Sequence, residues 1–268
     1  MNIDEAESYS SYRLRFVRKS AEDVVKRLSF SESDALLDVC CGSGELTKLI
    51  ADKVNLKSVT GFDINPNMIE IARTQNSAPN ITYLTGNAGD PSAFKQEWEN
   101  SYDKALSYFG LNWIKNWPMT VRCIFNCLKS GGECFLNIEV DERPHFFSVI
   151  NDAVDELPEY KGYLQGFVYE HYPLQGTLND FANTISTAGF VDVKCELDTV
   201  LPFYVFDNDI QSKTFVKGFL PQAQRIPEEM REEFIEEVFQ RAKAKCEKTE
   251  DGKPKWRHTI FTATARKP

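Results

Sequence analysis

Within Leu36-Leu37-Asp38-Val39-Cys40-Cys41-Gly42-Ser43-Gly44, an apolar run closes on an acid and then on small residues. A buried strand that ends this way turns sharply into a helix. The small residues let main chain approach a ligand, and the helix start offers unsatisfied N–H groups to it. A second carboxylate, Asp63, stands 25 residues after Asp38 (63 − 38), at the end of another short apolar run. A carboxylate so placed can accept two hydrogen bonds from the vicinal hydroxyls of a ribose. The rival reading of Asp63 is an N-cap for the helix opening at Pro66, and Asp38 can cap its own turn. Cys40 and Cys41 read as small packing groups rather than nucleophiles. Further along, Asn112-Trp113 sets an amide beside an indole. The amide can hold an oxygen, and the indole can line an apolar pocket or face a cation.

These residues need elements to hold them. Residues 8–29 read as an amphipathic helix with Leu14, Val17, Val24, Val25 and Leu28 on one side. Strands at 35–40, 58–62, 81–84, 102–108 and 133–140 alternate with helices at 45–53, 66–74, 92–99 and 119–128. Pro66 suits the first helical position, where its missing N–H is not needed. The alternation predicts an α/β fold with a parallel sheet and helices on both faces. After Val140 the rhythm breaks. Residues 144–187 read as helical and loop-rich, and 191–206 as a strand pair or a long strand interrupted at Pro202. Helices follow at 208–219 and 227–247, then a closing strand at 257–265. The reading is one domain over 1–268, divided into an N-terminal helical cover (1–30), a ligand-binding core (31–140), a helical insertion covering the site (141–190) and a C-terminal part completing the sheet (191–268).

With 268 residues, 42% of them apolar, the chain can build a sizeable core. Its net charge of −9 argues against nucleic acid as a partner, since phosphate contacts need clustered Lys and Arg. The basic run Arg13, Arg15, Arg18, Lys19, Lys26, Arg27 reads as a solvated helix face. No run of about 18 apolar residues is present, so no membrane span is expected. Nor do the first ten residues look like a signal peptide. Seven cysteines without that signal read as free thiols in a cytoplasmic protein. Neither they nor His145, His171 and His258 show metal-ligand spacing, so no metal is expected. Whether the chain acts as a monomer or a homodimer stays open.

The spacing acid-x-x-x-Gly-x-Gly at Asp38–Gly44 resembles the first motif of class I S-adenosylmethionine-dependent methyltransferases, with Cys40 where the family has a glycine. Asp63, Gly86-Asn87-Ala88 and Leu128-Lys129-Ser130-Gly131-Gly132 match later motifs of that family in order. The resemblance implies a doubly wound, seven-stranded, mostly parallel Rossmann-like sheet. It implies S-adenosylmethionine as cofactor and S-adenosylhomocysteine as product, held by Asp38, Cys40, Gly42, Gly44, Asp63, Ile64, Met68, Asn87, Ala88 and Ser107. Asn87 stands where the family carries an Asp that accepts from the adenine amino group, and an amide oxygen can do the same work.

A narrower resemblance rests on Ser107–Ile114, Ile124–Leu128, Pro144-His145-Phe146-Phe147, Leu201–Phe206, Ile226-Pro227 and the closing Ala265-Arg266-Lys267. Together they look like arthropod juvenile hormone acid O-methyltransferases. That implies methyl-ester formation on a small apolar carboxylic acid such as farnesoic or juvenile hormone acid. It also implies Asn112 and Trp113 at the reaction, and Tyr9, Tyr12, Phe16, Phe146 and Phe203 beside them as substrate-binding residues. Two departures stand out. The family carries a His at the position of Asn112, and a Gln on its N-terminal helix where this chain has Phe16 or a neighbour.

A carboxylate acceptor is already ionised at neutral pH and needs no base, whereas a hydroxyl acceptor usually does. His145, His171 and Glu139 are the base candidates in the second case, each with a structural rival reading. The aromatics Tyr9, Tyr12, Phe16, Phe146, Phe147, Tyr163, Phe167, Phe203, Tyr204 and Phe206 either wall an apolar pocket or form ordinary core. A third reading is a methyltransferase fold that binds its ligand and turns over weakly.

Overall fold

The computed structural model describes residues 17–198 and 203–268. Residues 17–27 form a helix, α1. There follow β1 (Ala35–Val39), α2 (Glu45–Val54), β2 (Ser58–Asp63), α3 (Pro66–Gln75), β3 (Ile81–Thr85), β4 (Tyr102–Ser107), α4 (Trp117–Cys127) and β5 (Leu128–Glu139). The second half adds α5 (Phe146–Asp155), α6 (Leu178–Thr187), β6 (Val191–Leu197), β7 (Phe203–Val205), α7 (Asp209–Gly218), α8 (Glu228–Lys245), β8 (Glu247–Lys248), β9 (Pro254–Arg257) and β10 (Ile260–Arg266).

The main sheet has seven strands in the order β3-β2-β1-β4-β5-β10-β6. Strands β1 to β5 run parallel, and β10 is antiparallel to both of its neighbours. The expected Rossmann-like fold is therefore present. Central position explains the sequence of β1. Leu36, Leu37 and Val39 have no exposed surface, as a strand covered on both faces requires. Strand order reverses between β1 and β4, because β1 leads outward to β2 and β3 while β4 and β5 lie on its other side. In open α/β sheets the crevice beyond the strand ends at such a reversal is where ligands bind.

Three local expectations change. Residues 92–99 are two 3₁₀ turns, Pro91–Ala93 and Gln96–Trp98, in which Trp98 alone is buried. One apolar anchor is too little to sustain a helix. β5 starts at Leu128 rather than 133, with Gly131 at φ 80 and its N–H bonded to Lys267 O. The 191–206 segment supplies two strands to two different sheets, β6 to the main sheet and β7 to a three-stranded sheet β7-β9-β8.

The chain parts into two compact units. The described part of the larger is Val17–Val140, residues 170–198 and Ile260–Pro268, and it holds the whole main sheet. The described part of the smaller is Asp141–Tyr169 with residues 203–259. A single insertion over 141–190 is thus replaced by two, one on either side of β6. Each unit has its own core. In the larger, Ile124, Phe181 and Ile185 are fully buried against the sheet residues Leu136 and Ile138. In the smaller, Phe146 is 1% exposed and enclosed by Phe147, Tyr204, Phe215, Phe219 and Trp256, with ring centroids 5.0–5.7 Å away.

Candidate active site

The passage from β1 to α2 bends through three left-handed residues, Cys40 (φ 64), Gly42 (φ 54) and Gly44 (φ 75). The Cys40 and Cys41 N–H groups donate to Phe62 O at 2.9 and 3.1 Å, which straps the turn to the end of β2. There Asp63 Oδ2 accepts from Gly42 N–H (3.0 Å) and Oδ1 from Asn65 N–H (2.9 Å). The N-cap of α3 is Asn65, not Asp63, since Asn65 Oδ1 accepts from Asn67 N–H. That disposes of the capping role for Asp63. Asp38, 2% exposed, accepts from Thr47 Oγ on α2 at 2.6 Å. Burial pushes its carboxyl up to about 7, opposed by the Thr47 bond and helped by the nearby charge of Asp63.

The glycines of the turn answer to different neighbours. A Cβ on Gly44 would lie 2.6 Å from the Tyr83 ring, whose hydroxyl donates to Gly44 O. A Cβ on Gly42 would meet nothing within 4 Å. The space above Gly42 is therefore open, and α2 begins without a side-chain cap. The Cys40 side chain fits into this turn because Gly110, after β4, leaves room for it. A Cβ on Gly110 would be 2.5 Å from Cys40 Cβ. Beyond β2, Ile64 is 62% and Met68 38% exposed, unusual for apolar side chains this close to a strand end. Asn87 Oδ1 accepts from Gly89 N–H (2.9 Å), and Ala88 is buried with its carbonyl accepting from Thr120 Oγ (2.8 Å).

At the end of β4 the chain makes a second tight passage. Ser107 is fully buried, and its Oγ has no hydrogen-bond partner among the described residues. Phe109 stands at φ 57, with its N–H donated to Asn137 Oδ1 of β5 at 2.6 Å. Leu111–Trp113 is a single 3₁₀ turn. Asn112 is 2% exposed, with Oδ1 lacking a partner among the described residues, while its carbonyl accepts from Tyr172 N–H at 2.6 Å. Trp113 is 39% exposed, and its ring centroid lies 5.0 Å from that of His171. His171 Nε2 is 2.9 Å from Glu139 Oε2, and the Glu139 carbonyl accepts from Leu174 N–H. Three segments far apart in sequence (107–113, 137–139 and 170–174) thus meet at one end of the sheet.

Two of the three base candidates, His171 and Glu139, therefore form a pair beside Asn112-Trp113. His145 belongs to the smaller unit, caps α5 through a capping box with Ser148, and lies 3.0 Å from Asp141. Phe146 is committed to the core of that unit, which corrects its assignment to a substrate wall. The Phe203 ring packs against Lys255 Nζ, 3.6 Å from its centroid, and takes up its face in a cation–π contact there. Tyr9, Tyr12 and Phe16 lie outside the described residues. Asn137 was not anticipated. The signal for it is an amide inside the apolar run Cys134-Phe135-Leu136-Asn137-Ile138. Among the described residues no group of three or more His, Cys, Asp or Glu side chains is arranged to hold a metal ion, and no helix is long and apolar enough to cross a membrane.

Known proteins share this family and this fold. A family profile described as a methyltransferase domain matches residues 13–194. A putative methyltransferase of Invertebrate iridescent virus 6 is 25% identical over 222 residues, 82% of this chain and 78% of that one. The juvenile hormone acid O-methyltransferase of Drosophila melanogaster is 24% identical over 210 residues, 77% of this chain and 70% of that one. Among solved structures, phosphoethanolamine N-methyltransferase 2 of Haemonchus contortus, in complex with S-adenosylhomocysteine, shares the fold with a TM-score of 0.58 at 17% identity, over 93% of this chain and 52% of that one. With a profile match over more than half its length and this sheet order, the chain belongs to the methyltransferase-domain family and is an S-adenosylmethionine-dependent methyltransferase.

Proposed function

We propose that the protein forms the methyl ester of a small apolar carboxylic acid. The observation that carries this reading is the Leu111–Trp113 turn at the end of β4, where a buried amide lies next to a part-exposed indole. The cofactor fits the residues at β1, β2 and β4. The open turn at Gly42 and the uncapped start of α2 suit an anionic or polar group. Asp63 serves the ribose hydroxyls, and exposed Ile64 and Met68 offer apolar surface to the adenine. Asn87 and Ala88 close the base side, and Ser107 faces the methionine end. Asp38 holds the turn itself through Thr47. When bound, S-adenosylmethionine supplies a methyl group made electrophilic by its sulfonium sulfur.

The protein's remaining task is to place a nucleophilic oxygen in line and keep water away. Asn112 donates an N–H of its side-chain amide to one oxygen of the acid, and Trp113 walls the apolar chain. No proton has to move, because an acid with a pKa of about 4–5 is ionised at neutral pH. The Drosophila relative, a juvenile hormone acid O-methyltransferase, supports an acid acceptor.

A second reading, a hydroxyl acceptor, is favoured by the Glu139–His171 pair at 2.9 Å, which could take the hydroxyl proton. A labelled-methyl assay with farnesoic acid, juvenile hormone acid, medium-chain fatty acids and the matching alcohols separates the two. Acids should be esterified, with kcat/KM nearly flat from about pH 6.5 to 8.5. Turnover of alcohols alone, rising about tenfold per pH unit, would replace the first reading with the second.

A further inference from the structure

Asn137 is fully buried near the C-terminal end of β5, two residues before Glu139. Its orientation is fixed, because the Phe109 N–H that it receives at 2.6 Å requires an oxygen. The other end of the amide, Nδ2, then carries two hydrogens to donate. It has no partner among the described residues. The same bond holds Phe109 at φ 57, a conformation that costs a residue with a side chain. On the turn thus fixed, Ser107 Oγ and Asn112 Oδ1 are also buried and also unpartnered among the described residues.

Unmade hydrogen bonds of buried groups are costly, and native proteins keep few of them. Three such atoms and a left-handed aromatic residue are gathered at one end of β4 and β5. Backbone strain and unsatisfied groups concentrate where a ligand completes the set. Alternation along β5 puts Asn137 and Glu139 on one face of the strand, and Glu139 reaches Trp113 through His171. Asn137 therefore belongs to the acceptor end rather than to the general core.

We infer that Asn137 is an acceptor-binding residue whose Nδ2 donates to an oxygen of the substrate acid. This rests on the carboxyl reading above. The amide holds the same carboxylate oxygen as Asn112 and leaves the other to act as nucleophile. Its Oδ1, through Phe109 N–H, sets the turn that brings Asn112 and Trp113 to the same substrate. One side chain thereby couples the shape of the turn to recognition of the acid.

Asn137→Asp keeps an acceptor for Phe109 N–H and removes the donor. Asn137→Ala removes both and adds no charge. With an acid that the wild type esterifies, both variants should raise the acceptor KM at least about tenfold, the scale of a lost hydrogen bond to a charged group. Affinity for S-adenosylmethionine, measured calorimetrically, should stay within about threefold, and kcat should change less than KM. A binding readout accompanies this. The acid should raise the melting temperature of wild-type protein loaded with S-adenosylhomocysteine, and should leave that of either variant unmoved. If the aspartate variant does not fold, the alanine variant decides.

An unchanged KM together with an unchanged acid-induced melting shift would overturn the role of Asn137 and leave the carboxyl reading standing. Methylation of alcohols but no acids by the wild type would overturn the carboxyl reading, and with it the acid as the partner of Asn137.

Discussion

Cys40 and Gly110 are shaped against each other, and the fit predicts a stability coupling. Gly110 has φ −97, a value any residue adopts, so conformation does not demand a glycine there. Space does. An added Cβ would lie 2.5 Å from Cys40 Cβ, 2.8 Å from Ser107 Oγ and 3.1 Å from Cys40 Sγ. Gly110→Ala is therefore overpacking, at a cost of about 1–3 kcal/mol. Cys40→Gly alone releases about 1–2 kcal/mol of left-handed strain. It returns about 0.5–1 kcal/mol through the freedom of glycine in the unfolded chain, and it forfeits the contacts of the thiol. Its net effect is within about 1 kcal/mol of zero. In the double variant two of the three close approaches vanish, and the third is to a hydroxyl that can rotate. Gly110→Ala should then cost under about 1 kcal/mol, a coupling of at least about 1 kcal/mol between neighbouring sites. Urea unfolding of the four proteins, with slopes compared, measures it. Additivity within about 0.5 kcal/mol would refute the argument, because it would show that Cys40 does not dictate the glycine.

Asp63→Ala removes a carboxylate that receives Gly42 and Asn65 N–H groups and is assigned to the ribose. Calorimetry should show S-adenosylmethionine bound at least about tenfold more weakly, since charged hydrogen bonds contribute about 1.5–3 kcal/mol each. An affinity within twofold of wild type would remove Asp63 from the site. Trp113→Ala should cut turnover while leaving cofactor affinity within about threefold. The reverse pattern would move Trp113 to the donor pocket. Asp38 makes the ligand-free protein pH-sensitive. Its carboxyl titrates near 7 when folded and near the ordinary value of 3.8 when unfolded. The native state thus keeps a proton that the unfolded chain has released. This contribution is fully present below about pH 4 and is lost as pH rises through about 7, by up to about 1.4 kcal/mol per unit. Asp38→Asn should flatten the unfolding free energy across that window. An unaltered profile would place the Asp38 carboxyl in its ordinary range.

What could be read from the sequence divides along the site itself. The donor end lies inside consecutive strand–turn–helix units, so Asp38, Gly42, Gly44 and Asp63 are connected by short spacing and glycine placement. Local order suffices there, because a left-handed turn and a strand-end carboxylate leave marks within a few residues. Cys40 shows the limit. As a sequence departure it looks like damage to the motif, yet its accommodation is written at Gly110, 70 residues on (110 − 40). The acceptor end is legible only residue by residue. Asn112, Trp113, His171 and Glu139 each stood out by type, but nothing in their spacing joins them. The joining is done by two backbone bonds, Tyr172 N–H to Asn112 O and Leu174 N–H to Glu139 O. The aromatic residues failed differently. A Phe such as Phe146 announces burial equally well in a pocket or a core, and only the rings around it decide. Asn137 teaches the opposite lesson. A lone amide inside an apolar strand must be explained by a hydrogen bond, and one of its two ends has found none among the described residues. Polar residues that break an apolar pattern are therefore better guides to an acceptor site than aromatic ones that continue it, because burial costs the first group and rewards the second.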